Sequence, residues 1–257
     1  MCLPESRTAA NSRDVAIALP TGESLPALEC RPPSHDAPAV LIVHDASGRT
    51  PFYESLARRL ATAGFVALLP DLYFRVDPSV HRDAVAAAHL DYRRTMGALC
   101  AAADWLRTQP EVAGERLGTL GFSLGGTLVL DLAAERTHLA TAAFYAFPAG
   151  HLRGADATPL GLSDRIAGPV LGFFGAQDET VPVAEVRELE ATLVARGVDV
   201  NFTMYPDVGH HFVAGSQLDP RQPTQFPADY TRACESLSAT LSFFQRTLKP
   251  SKQAHHP

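Results

Sequence analysis

The stretch Leu117-Gly118-Thr119-Leu120-Gly121-Phe122-Ser123-Leu124-Gly125-Gly126 constrains this chain more than any other. A short apolar run ends in Gly-x-Ser-x-Gly-Gly. The segment that follows, Thr127 to Ala134, reads as a helix. Strand, sharp turn and helix is the context that a nucleophile elbow requires. The turn holds its central residue in a strained conformation, and the strand and helix backbones nearly touch beside it. Small residues are therefore needed two before and two after Ser123, and Gly121 and Gly125 meet that demand. Ser123 would stand above the first turn of the helix, with the backbone N–H of Leu124 facing an oxyanion formed there.

The rest of the chain supplies a sheet for that turn to end on. Ala39–His44 is a continuous apolar run, as expected of a strand buried on both faces. Phe65–Leu69, Ala140–Tyr145, Pro169–Gly175 and Val200–Tyr205 are further strands. Between them lie helical segments: Phe52–Ala63, a long stretch of about His81–Leu106, Gly125–Glu135, Pro182–Arg196 and Ala228–Leu248. Val15–Leu19 and Leu25–Cys30 flank the turn Pro20-Thr21-Gly22-Glu23 and predict an antiparallel hairpin at one sheet edge. Strands alternating with helices predict an α/β fold, a mostly parallel sheet with helices on both faces. The expected domain is single and covers 14–248, with a loose arm at 1–13 and a disordered tail at 249–257. The segment 147–167 is long and irregular.

Composition limits the partners. The net charge is −6, so no nucleic-acid surface is expected, and no apolar run reaches the length of a membrane span. The N-terminus lacks the pattern of a signal peptide. Cys2, Cys30, Cys100 and Cys234 are scattered, without metal-ligand spacing. Reduced thiols and a cytoplasmic location are the simplest expectation. No G-x-G-x-x-G or P-loop motif is present, so no cofactor and no metal are expected. The chain is expected to be a monomer or a homodimer.

Two loops downstream of Ser123 complete a set. Asp178, in Gly175-Ala176-Gln177-Asp178-Glu179-Thr180-Val181-Pro182, directly follows an apolar strand. The carboxyl ends of parallel strands are where such folds keep their chemistry. Asp178 is also placed to cap the helix after Pro182, although Glu179 or Thr180 would serve there too. The last strand is followed by Gly209-His210-His211-Phe212. A serine hydroxyl is a weak nucleophile at neutral pH and needs an adjacent base. His210 would take its proton, and Asp178 would fix the imidazole tautomer. His210 and His211 compete for that role. Apolar Phe212 would point inward, and His210 shares its side of an extended segment, which favours His210.

The chain resembles the dienelactone hydrolase family of α/β hydrolases over about residues 14–248. The resemblance is carried by Val43-His44-Asp45-Ala46-Ser47-Gly48, Ala67-Leu68-Leu69-Pro70-Asp71-Leu72-Tyr73 and Gly121-Phe122-Ser123-Leu124-Gly125-Gly126. Asp178 with Val181-Pro182, and Tyr205-Pro206 with Gly209-His210 and Phe212, complete it. The resemblance implies hydrolysis of a small ester, lactone or thioester through an acyl-enzyme. It places the backbone of Ala46 beside that of Leu124 in the oxyanion hole, and Asp45 where an acidic residue contacts the nucleophile. The archetypes carry cysteine where this chain has Ser123. They also bind a substrate carboxylate with two arginines. Arg75 is the expected equivalent of one, and Ala214 stands in place of the other. The same residues would serve acyl transfer or perhydrolysis, or persist in a non-catalytic ligand-binding homologue.

Overall fold

The computed structural model describes residues 11–77, 79–80, 87–110, 112–214 and 227–248. Its strands are β1 (Asn11–Ala18), β2 (Ser24–Arg31), β3 (Ala37–Val43), β4 (Val66–Pro70), β5 (Val112–Phe122), β6 (Ala140–Phe144), β7 (Val170–Gly175) and β8 (Val200–Tyr205). The helices are α1 (Pro51–Thr62), α2 (Tyr92–Arg107), α3 (Leu124–Glu135), the short α4 (Pro159–Leu162), α5 (Val183–Ala195) and α6 (Pro227–Leu248).

The eight strands form one sheet in the order β1-β2-β4-β3-β5-β6-β7-β8. β1 and β2 make the expected hairpin, and β2 runs antiparallel to β4; from β4 to β8 every pairing is parallel. This is the α/β-hydrolase architecture. The central strands must bury both faces, and β3 shows how. Ala39, Leu41 and Val43 join one core cluster, while Val40 and Ile42 join the other. On the first face lie α2, α3 and α5, through Leu99, Val129 and Leu189. On the second lie α1 and α6, through Leu56, Leu60, Leu237 and Phe244. Each such side chain, fully buried, contributes about 1.5–3 kcal/mol.

Three expectations need correction. β1 begins at Asn11, so Asn11, Ser12 and Arg13 belong to the sheet and not to an arm. Their polarity hides the strand: this is an edge whose residues are exposed, and Arg13 pairs with the buried carboxylate of Glu29 on β2. The long helical stretch divides before Tyr92. Asp91 has extended backbone and its carboxylate accepts from Arg94 N–H at 3.0 Å, which makes it the N-cap of α2. The earlier part, 81–86, lies outside the described residues, as does the tail 249–257. Finally, Cys30 and Cys100 are free thiols, but Cys234 on α6 is disulfide-bonded, against the reading of uniformly reduced cysteines. Pairing depends on which residues the fold brings together, which sequence spacing does not report. Among the described residues no helix is long and apolar enough to cross a membrane.

Candidate active site

The Gly-x-Ser-x-Gly-Gly turn joins β5 to α3. Ser123 sits at φ 51° and ψ −118°, a region that residues with a β-carbon enter only when the surroundings enforce it. The two glycines show what enforces it. A β-carbon on Gly121 would lie 2.1 Å from the Gly125 carbonyl oxygen, and one on Gly125 would lie 2.2 Å from that of Val43. The elbow is thus wedged between its own helix and the end of β3. Ser123 N–H donates to the Phe144 carbonyl at 2.9 Å, which ties the turn to β6 as well.

The loops after β7 and β8 meet over this turn. Ser123 Oγ lies 2.8 Å from His210 Nε2, and His210 Nδ1 lies 2.6 Å from Asp178 Oδ2. The other carboxylate oxygen of Asp178 accepts three bonds: from Thr180 N–H at 2.8 Å, Thr180 Oγ1 at 2.6 Å and Val181 N–H at 3.1 Å. Burial pushes the Asp178 carboxyl up, but the hydrogen bonds from His210 and Thr180 outweigh it and hold the group below its ordinary range. An ionised carboxylate only accepts, so the proton of neutral His210 sits on Nδ1 and the Nε2 lone pair faces the serine hydroxyl. The ring bonded to Ser123 is that of His210. His211 is the next residue and lies in the same cleft, and Phe212 is fully buried.

A cleft of about 550 Å³ opens above Ser123. Its walls include Ala46, Leu124, Thr127, Phe147, His151 and Arg153. Leu124 is the first residue of α3, so its N–H belongs to the helix turn that has no intrahelical acceptor. The carbonyl of Ala46 is held by the Tyr73 hydroxyl at 2.9 Å, which sets the orientation of that peptide.

Two of the sequence-predicted residues do not line this cleft. Arg75 faces a separate cavity of about 290 Å³. Its guanidinium forms a two-pronged pair with Glu23, at 2.8 and 2.6 Å, and rests 4.3 Å over the Phe74 ring. Those bonds, with help from Thr21, bring the Glu23 carboxyl down to about 2. The guanidinium is occupied before any substrate arrives. Asp45 is buried at 3% exposure and is not among the cleft-lining residues. Its Oδ1 accepts from Ser47 N–H at 2.9 Å and from the Ser47 hydroxyl, and its Oδ2 faces His211.

Sequence reasoning gave Thr180 only a possible helix-capping role and assigned none to Phe147 or Arg153. Thr180 had a readable signal: a threonine two residues after an aspartate bonds back to its carboxylate in a local turn. Phe147 and Arg153 had no signal of their own; only the length of the irregular 147–167 segment marked it as functional or a cover. Thr127 holds the start of that segment, its hydroxyl accepting from Phe147 N–H at 3.0 Å. Among the described residues no group of His, Cys, Asp or Glu could hold a metal.

Comparison with known proteins agrees with the architecture. The model of the dienelactone hydrolase family matches residues 25–248. A carboxymethylenebutenolidase from Rhodococcus opacus is 33% identical over 238 residues, covering 89% of each chain. A crystal structure from Klebsiella pneumoniae, provisionally named a dienelactone hydrolase, superposes with a TM-score of 0.80 at 25% identity, covering 93% of this chain and 100% of that one. The acylaminoacyl peptidase of Pyrococcus horikoshii shares the fold alone: TM-score 0.75, 14% identity, 98% of this chain and 44% of that one. The sheet order, the strained serine turn and the match along 25–248 lead to one conclusion: the chain belongs to the dienelactone hydrolase family and is a hydrolase that cleaves carboxylic esters.

Proposed function

We propose that the protein hydrolyses a small carboxylic ester, lactone or thioester through an acyl-Ser123 intermediate. The observation that carries this reading is the unbroken hydrogen-bonded line from Asp178 through His210 to a serine held at φ 51°. In the first half-reaction Ser123 Oγ attacks the acyl carbon as its proton passes to His210 Nε2. Asp178 stabilises the imidazolium that forms, and three donors leave its Oδ2 free for that one contact. The oxyanion is received by the N–H groups of Leu124 and Ala46. His210 then returns the proton to the leaving oxygen or sulfur. In the second half-reaction water attacks, His210 takes its proton, and Ser123 is released.

The cleft suits an acyl group of modest size, with apolar walls at Phe147 and Leu124. The relative from Rhodococcus opacus is named for carboxymethylenebutenolide. In this chain Arg75 is committed to Glu23 and position 214 is alanine, so neither place offers a guanidinium to a substrate carboxylate. The two-arginine clamp for dienelactone is thus not built in this cleft, where Arg153 is the one arginine among the described lining residues.

A fluorophosphonate probe tests the reading. Wild-type protein should be labelled on Ser123 and should turn over a panel of aryl esters and lactones. Ser123→Ala should lose both the label and the turnover. An unlabelled wild type, or unchanged turnover in Ser123→Ala, sinks the proposal.

A further inference from the structure

A second imidazole–carboxylate pair lies beside the first, and the steps above do not use it. His211 lines the cleft together with Ser123 and His210. Its Nδ1 stands 3.7 Å from Asp45 Oδ2, and its ring meets that of His210 edge-on, with centroids 4.4 Å apart.

Three observations indicate that this placement is specified. First, His211 sits at φ 62°, in the left-handed region, where a residue with a β-carbon is strained and a glycine is not. Second, Asp45 is buried, Ser47 occupies its Oδ1, and its backbone N–H donates to the Tyr53 hydroxyl at 3.2 Å. Among the described residues no arginine or lysine pairs with it, so the His211 imidazole is the group of opposite character facing Oδ2. A buried carboxylate retained beside one imidazole orients that imidazole. Third, the fully buried ring of Tyr145 packs edge-on against both histidines, 4.9 Å from His210 and 5.7 Å from His211, and keeps the two rings in register.

We propose that His211, oriented by Asp45, is a second catalytic histidine that holds the hydrolytic water in the acyl-enzyme. This rests on the acyl-Ser123 reading above. The Asp45 carboxylate favours the proton on Nδ1, which leaves a lone pair on Nε2 at the opposite edge of the ring. Water then donates one O–H to His210 Nε2 and the other to His211 Nε2. Its oxygen lone pair is left to face the acyl carbon. As the new C–O bond forms, the first proton passes to His210. The tetrahedral intermediate collapses by breaking the bond to Ser123 Oγ, which takes that proton back. The second proton stays on the product acid, and His211 undergoes no net change. Attack by Ser123 needs no water, so His211 serves deacylation and not acylation. Asp45 acts through His211 and is a positioning residue.

The test resolves the two half-reactions with p-nitrophenyl butyrate, by the burst of nitrophenol and the steady state after it. His211→Gly suits the backbone at φ 62° and removes only the imidazole. The expected result is a deacylation rate lower by about tenfold or more, with acylation within about twofold, so that acyl-Ser123 accumulates and the burst grows. Free imidazole should restore part of the deacylation rate, and Asp45→Asn should slow the same step by about three- to tenfold. Equal losses in both steps, or deacylation within about twofold of wild type, overturn the role of His211 and leave the serine hydrolase reading standing. A wild type that a fluorophosphonate does not label on Ser123 overturns both.

Discussion

Replacing Asp131 with asparagine should stabilise the protein, by an amount that grows with pH. Asp131 lies on α3, on the helix that carries the elbow, at 1% exposure. Burial pushes its carboxyl from the ordinary 3.8 up to about 8; the nearby Glu135 charge adds to this, and the hydrogen bond from Tyr92 opposes it without prevailing. A carboxyl with a higher pKa folded than unfolded binds more protons in the native state, so stability falls as pH rises. The contribution is neutral below about pH 4, declines between pH 4 and 8, and is flat above. At about 1.4 kcal/mol per pH unit, that window of about four units amounts to ~5–6 kcal/mol against folding by pH 8.5. This is of the order of a whole domain's stability, which is about 5–15 kcal/mol. Asparagine keeps the shape and cannot ionise. The advantage of Asp131→Asn over wild type should grow from ~1 kcal/mol near pH 4.5 to ~5 kcal/mol at pH 8.5. Comparing the two proteins cancels the other titrating groups, including His211, whose imidazole is pushed down by burial and by its neighbour His210. Urea unfolding at both pH values, followed through the single tryptophan Trp105 on α2, reads the difference. A stability gap equal at the two pH values within about 0.5 kcal/mol would refute the reasoning, because it would mean that Asp131 titrates alike in both states.

Further outcomes follow from the site. Thr180→Val removes one of the three donors to Asp178 Oδ1, and should lower kcat by about tenfold with KM nearly unchanged, checked by steady-state kinetics on one aryl ester. Gly125→Ala sets a β-carbon 2.2 Å from the Val43 carbonyl oxygen, which belongs to a central strand and cannot retreat; thermal melting should show a loss above about 3 kcal/mol, or no soluble protein. Arg75→Ala should leave kcat/KM on a neutral ester within about twofold, since its bonds go to Glu23. Arg153 lines the cleft, is exposed and has no ion-pair partner among the described residues. Arg153→Ala should lower kcat/KM by about tenfold for an ester whose acyl chain ends in a carboxylate, and spare its neutral counterpart, in a direct comparison of the two substrates.

The features that could be read from the chain are those whose physical demands are local. Gly121 and Gly125 are required by a contact between a strand and the helix next to it, so their spacing around Ser123 is visible in a pentapeptide. The buried strands β3, β4 and β6 are continuous apolar runs because both of their faces are covered. The loops holding Asp178 and His210 each follow such a strand, so a parallel sheet must bring both to the same edge as Ser123. Other features depend on partners distant in the chain. Arg75 meets Glu23 across 52 residues, and only the fold shows that this arginine is spent on a hairpin turn. Arg13 hides an edge strand because its partner Glu29 lies on the neighbouring one. Asp45 and His211 stand more than 160 positions apart and meet only because β3 and the loop after β8 end on one side of the sheet. Backbone geometry and burial leave their mark on neighbouring residues, and so the elbow and its sheet were set by sequence. Pairing between side chains brought together by long-range folding leaves no such mark, and so the tertiary structure decided which charges face the cleft, and which of two adjacent histidines meets Ser123 and which meets Asp45.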